Sequence, residues 1–230
     1  GNAYLSLKTI DLVQKIREYG VKFVIITGAR STTFFQRRPI LPRADYEFME
    51  NGGRMLINGK IYSSWTESFI EQVGKYDYSQ AIPADIPIPE SRDGELWEFY
   101  RELSAEGGWY LDARDYYTDF RVDFKKSDVN RDEDALRRKL QKRSNLACTL
   151  NLGKADVYPI SSGKANAARF VLDIEKASAH ESVAMFDDDN DIELGELCGT
   201  GILPGVTHSS VIQAAQRNPH WTITSSKGVK

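Results

Sequence analysis

Cysteine is scarce in these 230 residues, with only Cys148 and Cys198 present. Two cysteines exclude a disulfide framework and a cysteine-based zinc spacing, and they fit a reducing compartment such as the cytoplasm. Histidine is nearly as scarce. His180, His208 and His220 are scattered and no G-x-S-x-G nucleophile accompanies them, so nothing supports a serine hydrolase. Long apolar runs are missing too: the longest, such as Phe23 to Ile26, are strand-sized, which excludes a hydropathic membrane span. Nor is one sign of charge in excess. Thirty basic against 33 acidic side chains give a net charge of -3, so no overall positive field exists to attract nucleic acid or anionic lipid. No internal repeat, low-complexity tail, signal peptide or transit peptide is visible. What is present, 41% hydrophobic and 27% charged residues, is the composition of a soluble globular protein. The length suffices for one large domain or for a core carrying an inserted one.

The chain opens on helical spacing. Leu7, Ile10, Val13 and Ile16 share one face of a helix predicted from Leu7 to Tyr19, with Ser6 as cap and Gly20 as stop. Val21 to Ile26 then reads as a buried parallel strand that ends at Thr27-Gly28. Open α/β sheets place their ligands at such loops, which makes Thr27, Gly28 and Arg30 candidates by position. A second strand is expected from Tyr46 to Met49, followed by Glu50-Asn51-Gly52-Gly53, a strand from Arg54 to Ile57 and a turn at Asn58-Gly59, since Asn-Gly pairs are hairpin signals. The middle of the chain mixes amphipathic helices (Trp65 to Val73, Leu96 to Ala105, Asp132 to Arg143) with short strands at Gly108 to Leu111, Phe120 to Phe124 and Ala147 to Leu150. A stiff connector holds Pro83, Pro87 and Pro89. This mixture predicts an α+β lobe inserted into the sheet domain. From Lys164 the α/β grammar returns: a helix from Ala165 to Leu172, a buried strand from Ser182 to Phe186, a helix from Ile192 to Leu197 and a strand from Gly199 to Leu203.

Asp187-Asp188-Asp189-Asn190-Asp191 packs four carboxylates into five positions where the Ser182 strand ends. Two ionised carboxylates about 4 Å apart repel by about 4 kcal/mol at an effective dielectric near ~20, so the cluster needs a cation, protons or full solvation. Oxygen donors without a nearby histidine or cysteine favour Mg²⁺ over zinc. The alternative is an acidic turn capping the next helix. Lys164 follows Ser161-Ser162-Gly163 like the tail of a P-loop, but the first glycine of G-x-x-x-x-G-K-[ST] falls on Tyr158 and Ala165 follows the lysine. An NTPase loop is disfavoured. At a helix start Lys164 suits a phosphate as a point charge, or is solvated surface. Gly199-Thr200-Gly201 reads as a turn, because the third glycine of a dinucleotide loop comes too late, at Gly205. The basic run from Arg137 to Arg143 follows Asp132, Glu133 and Asp134 on one helix, a solvated face suited to the helix dipole.

Three stretches, taken in order and spacing, resemble motifs two, three and four of the haloacid dehalogenase-like superfamily. They are Ile25-Ile26-Thr27-Gly28-Ala29-Arg30, Ser162-Gly163-Lys164-Ala165-Asn166-Ala167-Ala168 and Met185-Phe186-Asp187-Asp188-Asp189-Asn190-Asp191. With a large insertion between motifs two and three, the chain is similar to the Mg²⁺-dependent phosphatases of the Cof-type and sucrose-phosphatase-like branch. The resemblance implies an α/β fold: a Rossmann-like core with a parallel sheet at residues 1–62 and 160–230, and an inserted α+β cap at residues 63–159. It implies that Thr27 hydrogen-bonds the transferred phosphoryl group and that Lys164 neutralises phosphoryl and nucleophile charge. Asp187 and Asp191 are implied to hold Mg²⁺ directly or through water, with Asn190 in support. Asn51, in the Asn-Gly turn, is implied to lie near the entrance to the site, with Gly28 and Arg30 on the substrate side. Phe186 stands where the family has glycine. Motif one is absent: no D-x-D-G-T-L, whose first Asp is the family's nucleophile and second its general acid/base, precedes the Leu7 helix. The resemblance places that motif on a central strand just before Gly1, so a preceding segment or a companion N-terminal peptide is expected, and organelle targeting stays open.

The implied activity is a phosphatase that hydrolyses a small phosphorylated metabolite, a sugar phosphate first, through an aspartyl-phosphate whose nucleophile precedes this chain. Arg114, Arg121 and Lys125 lie in cap segments that could face the substrate. The alternative is a non-catalytic binding or assembly subunit that kept the fold and lost the nucleophile. Neither nucleic acid nor membrane is expected as a partner, and the oligomeric state is not legible.

Overall fold

A computed structural model describes residues 5–151, 153–205 and 209–225. The chain divides into two compact units, one spanning Leu5–Gly163 and the other running from Lys164 onward.

The first unit begins with α1 (Leu7–Glu18), capped as expected: the Ser6 hydroxyl accepts from the Thr9 amide at 3.1 Å, and Gly20 follows at φ +86. Its predicted apolar face is mostly uncovered. Val13 is buried, but Leu7 is 84% exposed and Ile16 41%. A charge pair fastens the helix instead, with Arg17 donating to both Asp45 oxygens at 2.9 and 2.7 Å while Asp45 also accepts from the Phe23 amide. The next strand, β1 (Val24–Ile26), is shorter than predicted and half-buried. After α2 (Ser31–Arg37), β2 (Tyr46–Met49) pairs parallel to β1, and β3 (Arg54–Ile57) and β4 (Lys60–Ile61) extend the sheet antiparallel. Both Asn58 (φ +47) and Gly59 (φ +78) are left-handed at the hairpin turn, the conformation that an Asn-Gly pair favours. Phe34 on α2 packs on Met49 and Leu56, with Ile25 and Ile61 at the margin.

The expected helix from Trp65 to Val73 is two short ones, α3 (Ser63–Glu67) and α4 (Ile70–Val73). Ser68 breaks it, because its hydroxyl donates to the Trp65 carbonyl at 2.7 Å. Then α5 (Glu95–Glu106) lies on an antiparallel sheet formed by β5 (Leu111–Asp112), β6 (Phe120–Asp123), β7 (Leu146–Asn151) and β8 (Lys154–Pro159), in the order β5-β6-β8-β7, with α6 (Glu133–Leu140) between β6 and β7 in sequence. Apolar and polar side chains alternate between the two faces of this sheet. Phe120, Val122, Ala155 and Val157 are buried, and Phe120 meets the rings of Trp97, Phe99 and Tyr100 on α5. The opposite face carries a polar row across the four strands, Asp112, Arg121, Asp156 and Thr149, each opposite the next in register. The central strand β8 has no counterpart in the sequence-based expectations.

The second unit is a small parallel α/β layer. It contains α7 (Lys164–Glu175), β9 (Val183–Met185), α8 (Ile192–Leu197), β10 (Thr200–Leu203), α9 (Ser209–Arg217) and β11 (Thr222–Ile223), with strand order β11-β10-β9. Its core gathers Ala184, Phe186, Leu203, Val211, Ala214 and Trp221. Phe186, where the resemblance implies glycine, sits in a site that accommodates its bulk: the ring lies edge-on to Trp221 at 5.1 Å, and a Cβ on Gly195 would come within 2.4 Å of it. The strand expected to be buried from Ser182 to Phe186 is buried only in part. Ala184 and Phe186 point inward, whereas Val183 and Met185, on the alternate face, are exposed, Met185 by 74%.

Candidate active site

The loop after β1 is tied to the loop after β2 by a continuous set of backbone bonds. Thr27 N donates to Phe48 O at 3.0 Å, Glu50 N to Ala29 O at 3.0 Å and Asn51 N to Thr27 O at 3.1 Å. The Thr27 hydroxyl accepts from the Ala29 amide at 3.1 Å, which fixes the side chain of the expected phosphoryl ligand. Gly28 lies against Asn51: a Cβ there would sit 2.8 Å from Asn51 Oδ1, so the close approach demands glycine. Thr27, Gly28 and Asn51 therefore meet in one place. Asn51 itself, expected near an entrance, is fully buried and left-handed at φ +52, a conformation asparagine tolerates. Its Nδ2 donates to Asp119 at 3.0 Å and Asp156 at 3.3 Å. Arg30 turns to the lobe, pairing with Asp112 at 2.8 Å, donating to Arg114 O at 2.9 Å and lying 4.7 Å over the Tyr116 ring. Of the three cap cations, Arg114 and Lys125 are exposed, and Arg121 holds Asp156 through two bonds of 2.5 and 2.9 Å.

Lys164, Asn190 and Asp191 meet in the second unit. Gly163 (φ +91) ends the preceding strand and turn, and Lys164 opens α7. Its ammonium donates to Asp191 Oδ1 at 2.5 Å and Asn190 Oδ1 at 3.2 Å, and both ion-pair partners keep little exposure. Asp189 to Asp191 form a 3-10 turn whose N-cap is Asp188, so the run from Asp187 does open a helix as well as gather charge. Burial raises the Asp191 pKa. The Lys164 contact opposes that rise, while repulsion from Asp187 and Asp188 adds to it. The salt bridge still argues for an ionised Asp191, since an ammonium in contact rewards the charged form. Asp187 is exposed. Mg²⁺ takes oxygen ligands, keeps several waters and needs only one or two carboxylates, so Asp187, Asp191 and Asn190 are a chemically suitable donor set. Among the described residues no three histidine, cysteine or acidic side chains gather into a larger metal cluster. His208 lies outside the described residues.

Sequence reasoning missed the buried polar group behind Asn51. Glu50, Asp119 and Asp156 are all nearly or fully inaccessible, as is Arg54, whose guanidinium binds the Ser31 hydroxyl and the carbonyls of Ala81 and Gln80. Asp156 was detectable in principle, as the polar member of an alternating Ala155-Asp156-Val157 strand. Asp119 carries no such signal. Burial, followed by the charges of Asp156 and Glu50, pushes its carboxyl well above the usual range. A raised folded pKa stabilises fully below the ordinary carboxylate pKa and loses that stabilisation as pH rises through the folded value. Asp119→Asn, which is permanently neutral, is therefore expected to flatten the decline in Tm that sets in as pH rises above the ordinary carboxylate range. Thermal scans across a pH series check it, and superimposable wild-type and variant profiles would count against a buried proton on Asp119.

A sequence model of the haloacid dehalogenase-like hydrolases matches residues 109–226, just over half of the chain. The chain belongs to that family. A search of the curated proteins finds no match. Among solved structures, this hydrolase is similar to the sucrose-phosphatase of Synechocystis sp. PCC6803, solved with sucrose and phosphate, at a TM-score of 0.72 and 14% identity over 98% of this chain and 88% of that one. It is also similar to a Thermoplasma acidophilum protein (TM-score 0.67, 16% identity, 97% and 85% coverage). A third likeness is to a phosphatase of the same superfamily from Bacteroides thetaiotaomicron (TM-score 0.60, 17% identity, 96% and 82% coverage). These likenesses show the fold: a Rossmann-like core with a cap. Hydrolases of this family generally use Mg²⁺. No helix among the described residues is long and apolar enough to cross a membrane.

Proposed function

We propose that this hydrolase is a Mg²⁺-dependent phosphatase acting on a small phosphorylated metabolite, with sugar phosphates as the first class to test. The observation that carries the reading is the Lys164 ammonium held 2.5 Å from Asp191 and 3.2 Å from Asn190, a buried cation beside the acidic turn of a haloacid dehalogenase-like hydrolase. Thr27, whose side chain is fixed by the Ala29 amide, is assigned to the phosphoryl oxygens. Lys164 is assigned to neutralising their charge, Asp187 and Asp191 to the metal, and Gly28, Arg30, Asn51 and Asn190 to the substrate side. Bound Mg²⁺ would neutralise phosphate charge. Phosphoryl transfer depends mostly on positioning and on charge aimed at the equatorial oxygens, which is the service these residues can supply. An attacking carboxylate takes the phosphoryl group as the ester P–O bond breaks, the departing oxygen gains a proton and leaves as an alcohol, and water then hydrolyses the aspartyl-phosphate to inorganic phosphate and the regenerated carboxylate. The sugar-phosphate choice draws on the structural likeness to a sucrose-phosphatase.

The test uses the full-length gene product with Mg²⁺ and a panel of sugar phosphates and other small phosphate esters, measuring released inorganic phosphate. Turnover that EDTA abolishes and Mg²⁺ restores is expected. Absence of release across the panel would favour a binding or assembly subunit.

A further inference from the structure

Glu50 heads the Asn51 turn in the left-handed region at φ +53, where a glutamate is uncommon, and its side chain is fully buried. Backbone conformations of this kind persist where the surroundings over-determine them. Here the surroundings are five donors. Oε1 accepts from the Ser31 amide at 3.1 Å and from the Ser31 hydroxyl, and Oε2 accepts from the Tyr117 and Thr118 amides at 2.8 Å each and from the Thr118 hydroxyl at 2.9 Å. Arg54 donates to the same Ser31 hydroxyl at 2.8 Å and supplies a compensating charge. One carboxylate thus joins the first residue of α2, directly after the Thr27–Arg30 loop, to the lobe segment that enters β6. Neighbouring joints run along the same seam: Arg30 to Asp112, Thr32 to Asp115 and Asn51 to Asp119. These others are single bonds or lie nearer solvent, whereas the Glu50 knot is dry and multiply bonded.

We propose that Glu50 is a positioning residue that sets the Thr27–Arg30 loop against the lobe, so that phosphate recognition by that loop depends on a carboxylate that never touches substrate. The role rests on the phosphatase reading above. Both carboxylate oxygens act as acceptors, and that is the feature a substitution can attack. In Glu50→Gln one oxygen becomes an NH₂ group, which must face either the Ser31 donors or the Tyr117 and Thr118 donors, placing donor against donor on one side of the knot. The amide cannot satisfy both halves.

The experiment pairs amide hydrogen exchange with calorimetric binding of inorganic phosphate in Mg²⁺, on the full-length gene product. For Glu50→Gln, exchange at Tyr117 and Thr118 is expected to quicken, and the phosphate Kd to rise, by about tenfold or more, the size of a lost bond to a charged group. Thr66→Val deletes a different buried bond of the same region, from the Thr66 hydroxyl to Gly53 O at 2.8 Å, and is expected to leave phosphate affinity unchanged. Faster exchange in Glu50→Gln with wild-type phosphate affinity, or an equal loss of affinity in Thr66→Val, would reduce Glu50 to a structural part and overturn the proposal. A wild-type protein that binds no phosphate would sink the phosphatase reading and the positioning role with it, while the exchange data would still report whether the knot exists. Should Glu50→Gln not fold, Thr118→Val removes one donor of five and is expected to shift both readouts in the same direction by about threefold; no shift in either counts against the proposal.

Discussion

Lys164→Ala in the full-length protein is expected to lower kcat by about a hundred- to a thousand-fold, the range for removing one preorganised charge from a site where charge develops. The ammonium is held by two oxygens, Asp191 Oδ1 and Asn190 Oδ1, and its position at the first residue of α7 is set by the left-handed Gly163. A solvated lysine would lose nothing measurable on truncation. The substitution also leaves Asp191 without its cation among the repelling charges of Asp187 and Asp188, and the raised Asp191 pKa should then rise further. Lys164→Arg keeps the charge but spreads it over a planar fork, and is expected to recover only part of the rate. Turnover of Lys164→Ala within about threefold of wild type would remove Lys164 from the chemistry.

Legibility in the sequence followed how local each cause was. Strands β2 and β3 and helix α8 begin and end where their propensities and the Asn-Gly turns place them. The cap expected at Ser6 is a short-range bond between neighbours in sequence, and it forms, as does a bond of the same kind from the Ala135 amide to Asp132. Periodicity showed that Leu7, Val13 and Ile16 share a helical face, and the apolar run from Ser182 to Phe186 read as a buried strand. It carried no information on whether another element covers that face, and Leu7 and Met185 are exposed. Strand β8 was missed because its hairpin turn lacks an Asn-Gly pair and its run is interrupted by Asp156. That aspartate is explained by Arg121 on the neighbouring strand and by Asn51, more than a hundred positions away in sequence. Glu50 was missed for the same reason at longer range. In sequence it is the polar residue before a turn; its partners lie 19, 67 and 68 positions away.

The residues that sequence motifs single out and those that hold them in place are thus different sets. Thr27 and Gly28 come from a short pattern. Their placement depends on Asn51, Asn51 on Asp119 and Asp156, and Asp156 on Arg121, a chain of contacts that crosses from the first sheet to the lobe within one compact unit. The polar row of the lobe sheet meets Asn51 through Asp156, and the other face of that sheet is packed on α5. Stability of α5 is therefore the quantity on which the geometry of the Thr27 loop indirectly rests.

Trp97→Ala should be the most destabilising single change in that packing. The indole is inaccessible, its Nε1 donates to Val73 O at 3.0 Å, and its ring meets Tyr100 and Phe120 while the Arg92 guanidinium lies 4.3 Å above it. Truncation opens a large cavity where three elements converge, and losses of about 3–5 kcal/mol are usual for tryptophan in a core. For a chain of this size that corresponds to a fall in Tm of roughly 10 °C. Trp97→Phe separates packing from hydrogen bonding. Val73 O keeps a second donor, the Tyr78 hydroxyl at 3.0 Å, so the lost indole N–H leaves no orphaned acceptor and the cost should be mostly the missing ring volume, about 1–2 kcal/mol. Urea titrations followed by far-UV circular dichroism measure both variants; a Trp97→Ala protein within 1 kcal/mol of wild type, judged against the ~3 kcal/mol floor for such cavities, would show that α5 does not anchor the lobe.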